Sequence, residues 1–126
     1  MATKGYDRAP SNVRAAVEEA VSRTGVSKDL LTSIIGRESN FNPYAANPKS
    51  TAKGLGQHID TTWNDLIATT GAAYGFTAKT SPFDPRASAI LTAEYVRKNA
   101  KQLKGALGRD ATPGELYVAH FMGGGG

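Results

Sequence analysis

Apolar residues recur every three to four positions along most of this chain, a pattern that predicts helices almost throughout. Val13, Ala16, Val17, Ala20 and Val21 form the first stripe, with Ser11 placed to cap it and Gly25 to end it. Ser27 caps a second helix that carries Leu30, Leu31, Ile34 and Ile35 and closes near Glu38. Asp60 or Thr61 caps a third, in which Trp63, Leu66 and Ile67 share the i, i+3, i+4 spacing of a core face. Asp84-Pro85 opens a fourth with an acidic cap and proline at the first helical position. It carries Ile90, Leu91, Tyr95, Val96 and Leu103, and Gly105 and Gly108 break it. Thr112-Pro113-Gly114-Glu115 reads as a capping box, followed by a last helix with Leu116, Ala119 and Met122 on its inner face.

Two stretches lack any period. Residues 40–53 hold Asn40, Asn42, Pro43, Asn47, Pro48, Ser50 and Thr51, the composition of a long functional loop. Residues 71–82 form a second irregular connection, and residues 54–59 are expected to be extended or turned. Residues 1–10 read as a flexible lead-in and 11–126 as a single domain. The last helix runs into four glycines, which suggests a C-terminally trimmed fragment. The fold class expected is mainly α, with at most a minor β element and a cleft beside the 40–57 segment.

Composition narrows the function classes. A chain of 126 residues, 40% hydrophobic and 21% charged, makes one globular domain with a real core. It has no cysteine, so disulfides and thiolate metal sites are excluded. Fifteen basic against eleven acidic residues give +4, spread without a basic run. That charge suits solubility or a polyanion such as the acidic polymers of a bacterial wall. The missing basic stripe argues against nucleic acid. No stretch approaches the ~20 apolar residues of a membrane span. No apolar signal region precedes residue 10, which leaves three routes open: action where the protein is made, delivery by other means such as a phage particle or release at lysis, or a leader already removed. His58 and His120 are the two histidines, and their spacing supports no metal site; no cofactor is expected.

Among eleven carboxylates, Glu38 alone follows an apolar stripe and borders the long polar loop. Position 38 lies over 34 and 35, so its carboxyl group falls on the apolar face. A carboxylic acid in such a setting resists ionisation, the condition a general acid needs. Periodicity alone is equally served by a helix-end glutamate reaching water.

The order of motifs says more. Glu38-Ser39-x-Phe41-Asn42-Pro43 is followed by Gly54-Leu55-Gly56-Gln57, then Ala93-Glu94-Tyr95-Val96, then Ala119-His120-Phe121-Met122-Gly123. From Ser11 to Gly126 this resembles the soluble lytic transglycosylase catalytic domain of the goose-type-lysozyme-like superfamily. The resemblance implies a lysozyme-like fold. It also implies cleavage of the β-1,4 bond between N-acetylmuramic acid and N-acetylglucosamine in peptidoglycan, at the cell envelope. It places the catalytic acid at Glu38, which would serve as acid and then base to leave a 1,6-anhydromuramoyl end. It further implies substrate-site roles for Ser39, Asn47, Gln57, Tyr95, His120 and Phe121. Two departures stand out. Gly56 replaces the usual Met of Gly-Leu-Met-Gln, which would remove a side chain from the cleft wall, and His120-Phe121 replaces Tyr-Asn.

Two other readings remain open at this point. A hydrolytic muramidase would cut the same bond but needs a second carboxylate, for which Asp60 and Asp65 are the candidates. A non-catalytic wall-binding or phage structural module would need neither acid.

Overall fold

The computed structural model describes residues 4–122. Six α-helices follow in order: α1 Lys4–Asp7, α2 Ser11–Thr24, α3 Lys28–Ser39, α4 Asp60–Thr70, α5 Pro85–Leu107 and α6 Pro113–Met122, with a 3-10 turn at Gly71–Tyr74. Strand structure among these residues is limited to two isolated antiparallel bridges, Ala46 with Lys53 and Lys53 with His58. The chain is therefore mainly α, as the period predicts.

Several helix ends follow the expected chemistry. Gly25 takes the left-handed conformation that closes α2. Ser27 accepts from the Leu30 amide, and Asp84 accepts from the Ala87 amide. Thr112 and Glu115 cap each other's backbone amides at 3.2 and 2.9 Å. Other ends correct the expectation. Pro10, not Ser11, precedes α2, and it makes no side-chain cap. Ile59 precedes α4, so Asp60 lies inside its first turn, where a carboxylate complements the helix dipole. Gly105 does not break α5, which runs on to Leu107 and is closed by Gly108 in the left-handed region. An exposed glycine costs a helix only ~1 kcal/mol, too little to stop one anchored along its first three turns. Residues 5–9, expected to be a flexible lead-in, carry much of α1, with Tyr6 and Ala9 buried. Met122 is 80% exposed rather than inward. The terminal glycines lie outside the described residues.

One core joins Val13, Ala16, Val17 and Ala20 of α2 to Leu30, Leu31, Ile34 and Ile35 of α3 and to Ala89, Ile90, Ala93 and Val96 of α5. A smaller cluster packs Trp63 and Leu66 of α4 against Ala87, Leu91 and Tyr95. Trp63 thus sits in the core, with its indole N–H donated to the Thr80 carbonyl at 3.3 Å. Between α3 and α5 lies the segment 54–58, buried along its whole length.

Candidate active site

The site begins where α3 stops. Asn40 and Phe41 both take positive φ, 51° and 60°, and turn the chain sharply away from the helix axis. Asparagine tolerates that region; phenylalanine does so at a cost. Burial of the Phe41 ring against Tyr6, centroids 5.9 Å apart, offsets it. Glu38 is left on the last turn of α3.

The 54–58 segment is clamped from both sides. Ser88 of α5 accepts from the Leu55 amide at 3.0 Å, and Ser39 of α3 donates to the Leu55 carbonyl at 2.8 Å. Gly54 has φ 81°, and a Cβ there would lie 2.1 Å from the Pro82 carbonyl oxygen. A Cβ on Gly56 would meet Thr92 Oγ1 at 2.2 Å and His58 Nε2 at 2.7 Å. Position 56 therefore faces α5 rather than a cleft wall, and the short residue there permits this packing.

His58 is fully buried and touches Thr92 Oγ1 through Nε2 at 3.1 Å. Thr92 spends its own hydrogen on the Ser88 carbonyl at 2.6 Å, so it must accept from His58, which fixes the Nε2–H tautomer. Burial, and secondarily the proximity of His120, push the His58 pKa down to about 3. The ring is neutral at ordinary pH.

His120 comes from α6 and is its one buried side chain. Its ring meets those of His58 at 5.7 Å and Tyr95 at 5.4 Å, both edge-on. Its Nε2 lies 3.2 Å from Glu38 Oε2 and 3.4 Å from the Gly56 carbonyl oxygen. The direction of its N–H serves Gly56, and Oε2 has no aligned hydrogen bond. The Glu38 side chain is 12% exposed, while Oε2 itself is buried. The carboxyl group thus has an inner oxygen against His120, and Oε1 is its oxygen open to solvent.

The remaining candidates are scattered more widely. The Ser39 hydroxyl, shared between the Leu55 and Ile35 carbonyls, is turned away from solvent and from Glu38. Gln57, at φ 52°, donates both amide hydrogens to the Ala45 and Gly54 carbonyls, which leaves Oε1 for any ligand. Asn47 is exposed and accepts from the Lys49 amide. Phe121 is half-buried with the Arg37 guanidinium 4.9 Å above its ring. Tyr95 is buried but borders a cavity of about 330 Å³ between α4 and α5, with Thr61, Asp65, Lys98, Asn99 and Gln102 in its wall. A second cavity, about 440 Å³, lies beside the expected loop, lined by residues 40–44 with Pro10 and Asn12. Glu38 lines neither of these two. Asp60 and Asp65 are both at least half exposed and paired with Lys53 and Lys98.

A family model described as the transglycosylase SLT domain matches residues 15–122. The chain belongs to this family. Members of the transglycosylase SLT domain family are peptidoglycan lytic transglycosylases, lyases that act on the glycan. The substrate of this SLT domain is accordingly peptidoglycan, and its place of action is the cell envelope. No helix among its described residues is long and apolar enough to cross a membrane. The match runs from within α2 to the end of α6 and so includes Glu38, the clamped 54–58 segment and His120.

Two features packed beside Glu38 and the 54–58 segment escape sequence reasoning. The first is His58, which spacing rules considered only as a metal ligand. The second is the buried polar row that Ser88, Thr92 and Asn99 form with the expected Tyr95 on α5. Its signal was available: four polar-tipped residues at i, i+4, i+7 and i+11, one stripe beside the apolar stripe of Ala89, Ala93 and Val96.

Proposed function

We propose that Glu38 is the single acid/base of this lytic transglycosylase and that cleavage leaves a 1,6-anhydromuramoyl end. The observation that carries the reading is the divided environment of Glu38: a buried inner oxygen and an outer oxygen open to a ligand. In the first step the protonated carboxyl group gives its hydrogen to the glycosidic oxygen as the bond to C1 of N-acetylmuramic acid breaks. The carboxylate then takes the hydrogen of that sugar's C6 hydroxyl, whose oxygen bonds to C1. The carboxylic acid is regenerated and no water is consumed.

Hydrolysis needs a second carboxylate to activate water. Asp60 and Asp65, each exposed and neutralised by a lysine, are poorly suited to that task, which supports the single-acid route. In the same reading Gln57 Oε1, Asn47, Phe121 and the edge of Tyr95 meet the glycan, while Ser39 acts through Leu55.

The test is mass spectrometry of muropeptides released from purified sacculi. Wild type should release products one water lighter than reducing-end muropeptides. Glu38→Gln should lower release by about 10²–10⁴-fold while the protein stays folded. Reducing ends would favour the muramidase, and an active Glu38→Gln would remove Glu38 from the role.

A further inference from the structure

We propose that His120 is a positioning residue for Glu38: an Nε2–H donor, held in place by the Gly56 carbonyl, that secures the inner carboxyl oxygen and turns the outer one toward the sugar. This rests on the acid/base assignment of Glu38 above. Two oxygens stand before Nε2, the Gly56 carbonyl at 3.4 Å and Glu38 Oε2 at 3.2 Å. The Gly56 carbonyl can only accept, and so can the inner carboxyl oxygen when the acid's hydrogen is on the outer one, so the nitrogen between them carries the hydrogen.

In the resting geometry that hydrogen points at Gly56, and Oε2 is buried without a hydrogen-bond partner. Such an oxygen is tolerable in a neutral carboxyl group and costly in a carboxylate. When Glu38 gives its hydrogen to the leaving sugar, charge develops on Oε2, and a small tilt of either group brings the N–H onto it. The contact is then stronger beyond the first proton transfer than before it. That difference accelerates the step rather than merely tightening binding.

The ring has little freedom to do anything else. It has no exposed surface, so it cannot contact a sugar directly in this arrangement. The titratable groups around it are Glu38 on α3, His58 on the 54–58 segment and Tyr95 on α5. The Arg37 guanidinium lies on the face of the adjacent Phe121. His58, neutral in the fold, presents no opposing charge.

The experiment combines kinetics on soluble glycan strands with ¹⁵N NMR of the histidine rings. His120→Phe keeps a ring without the donor and should lower kcat about 10²-fold with KM changed by no more than about twofold. His120→Gln places an amide nitrogen near the Nε2 position and should recover kcat to within about tenfold of wild type. Circular dichroism confirms equal folding of the two. The resting ring should show Nε2 protonated and Nδ1 bare, and Glu38→Gln should shift the Nε2 resonance. Wild-type kcat in His120→Phe, no recovery in folded His120→Gln, or an Nδ1–H tautomer would each overturn the proposal. An active Glu38→Gln would instead overturn the acid assignment. Should the wild type yield no anhydro product, the ring tautomer and its response to Glu38→Gln still decide the contact.

Discussion

Two rows of α5 lie about a quarter-turn apart and are buried to the same degree, yet they hold different things. Ala89, Ile90, Ala93 and Val96 join the apolar core of α2 and α3. Ser88, Thr92 and Tyr95 of the other row face polar or aromatic groups: Ser88 holds Leu55, Thr92 holds His58, and Tyr95 stacks edge-on against His58 and His120. The apolar row stabilises without specifying, since side chains of similar volume can replace one another. The polar row fixes one register of the 54–58 segment, because the Ser88 and Thr92 hydroxyls each answer one backbone or ring nitrogen. One row makes the domain stand; the other fixes the segment and rings that pack beside Glu38.

Acid breaks the polar row first and most. His58 takes up a proton near pH 6.5 in the unfolded chain but only at about 3 in the folded one. Between those values the unfolded state holds more protons, so stability is full above 6.5 and falls as pH falls through this window. The total is up to about 5 kcal/mol. Glu18 and Glu19, held low chiefly by hydrogen bonds from Lys28 and Arg86, add their loss only at more acidic pH. Urea midpoints measured from pH 7 to 4 should show the early decline, and His58→Gln should remove it. A flat profile above pH 4.5 in wild type would contradict the assignment.

Ile90→Ala strikes the apolar row. It should cost about 2–5 kcal/mol in chemical denaturation, with activity per folded molecule little changed. Gly56→Ala tests the polar row by overpacking Thr92 and His58. Its cost should be about 1–3 kcal/mol, but it should remove most activity, because the Gly56 carbonyl that holds His120 must move. If Gly56→Ala and Ile90→Ala lost activity only in step with stability, the two rows would not differ in function. The smallest effect is expected from Ser39→Ala, about 1 kcal/mol, read from the shift in denaturation midpoint.

Much of the helical frame was legible because its signals are local. Ser27, Asp84 and the Thr112–Glu115 pair cap the helices their spacing predicts. The errors fall where tertiary contacts override such signals. Tyr6 orders the lead-in by packing on Phe41 and donating to Glu18. Asp60 forgoes capping for an ion pair with Lys53. Glu38 could be placed on an inward face by period alone, but its neighbour could not. His120 stands 82 positions later in sequence, and only the packing of α6 brings its Nε2 to 3.2 Å from Oε2. Gly56 read as a missing cleft residue because sequence does not show which way a buried turn faces.

The way α6 is attached sets the weak point of the enzyme. Its single buried side chain is His120, with Leu116 and Tyr117 only partly covered. Little apolar surface therefore fastens this helix, and it is expected to open before the rest of the domain does. Detachment would strip the inner oxygen of Glu38 of its neighbour without melting the other helices. If His120 positions Glu38 as proposed, heat should silence the enzyme before it unfolds it, and amide exchange in α6 should report activity better than total helicity does.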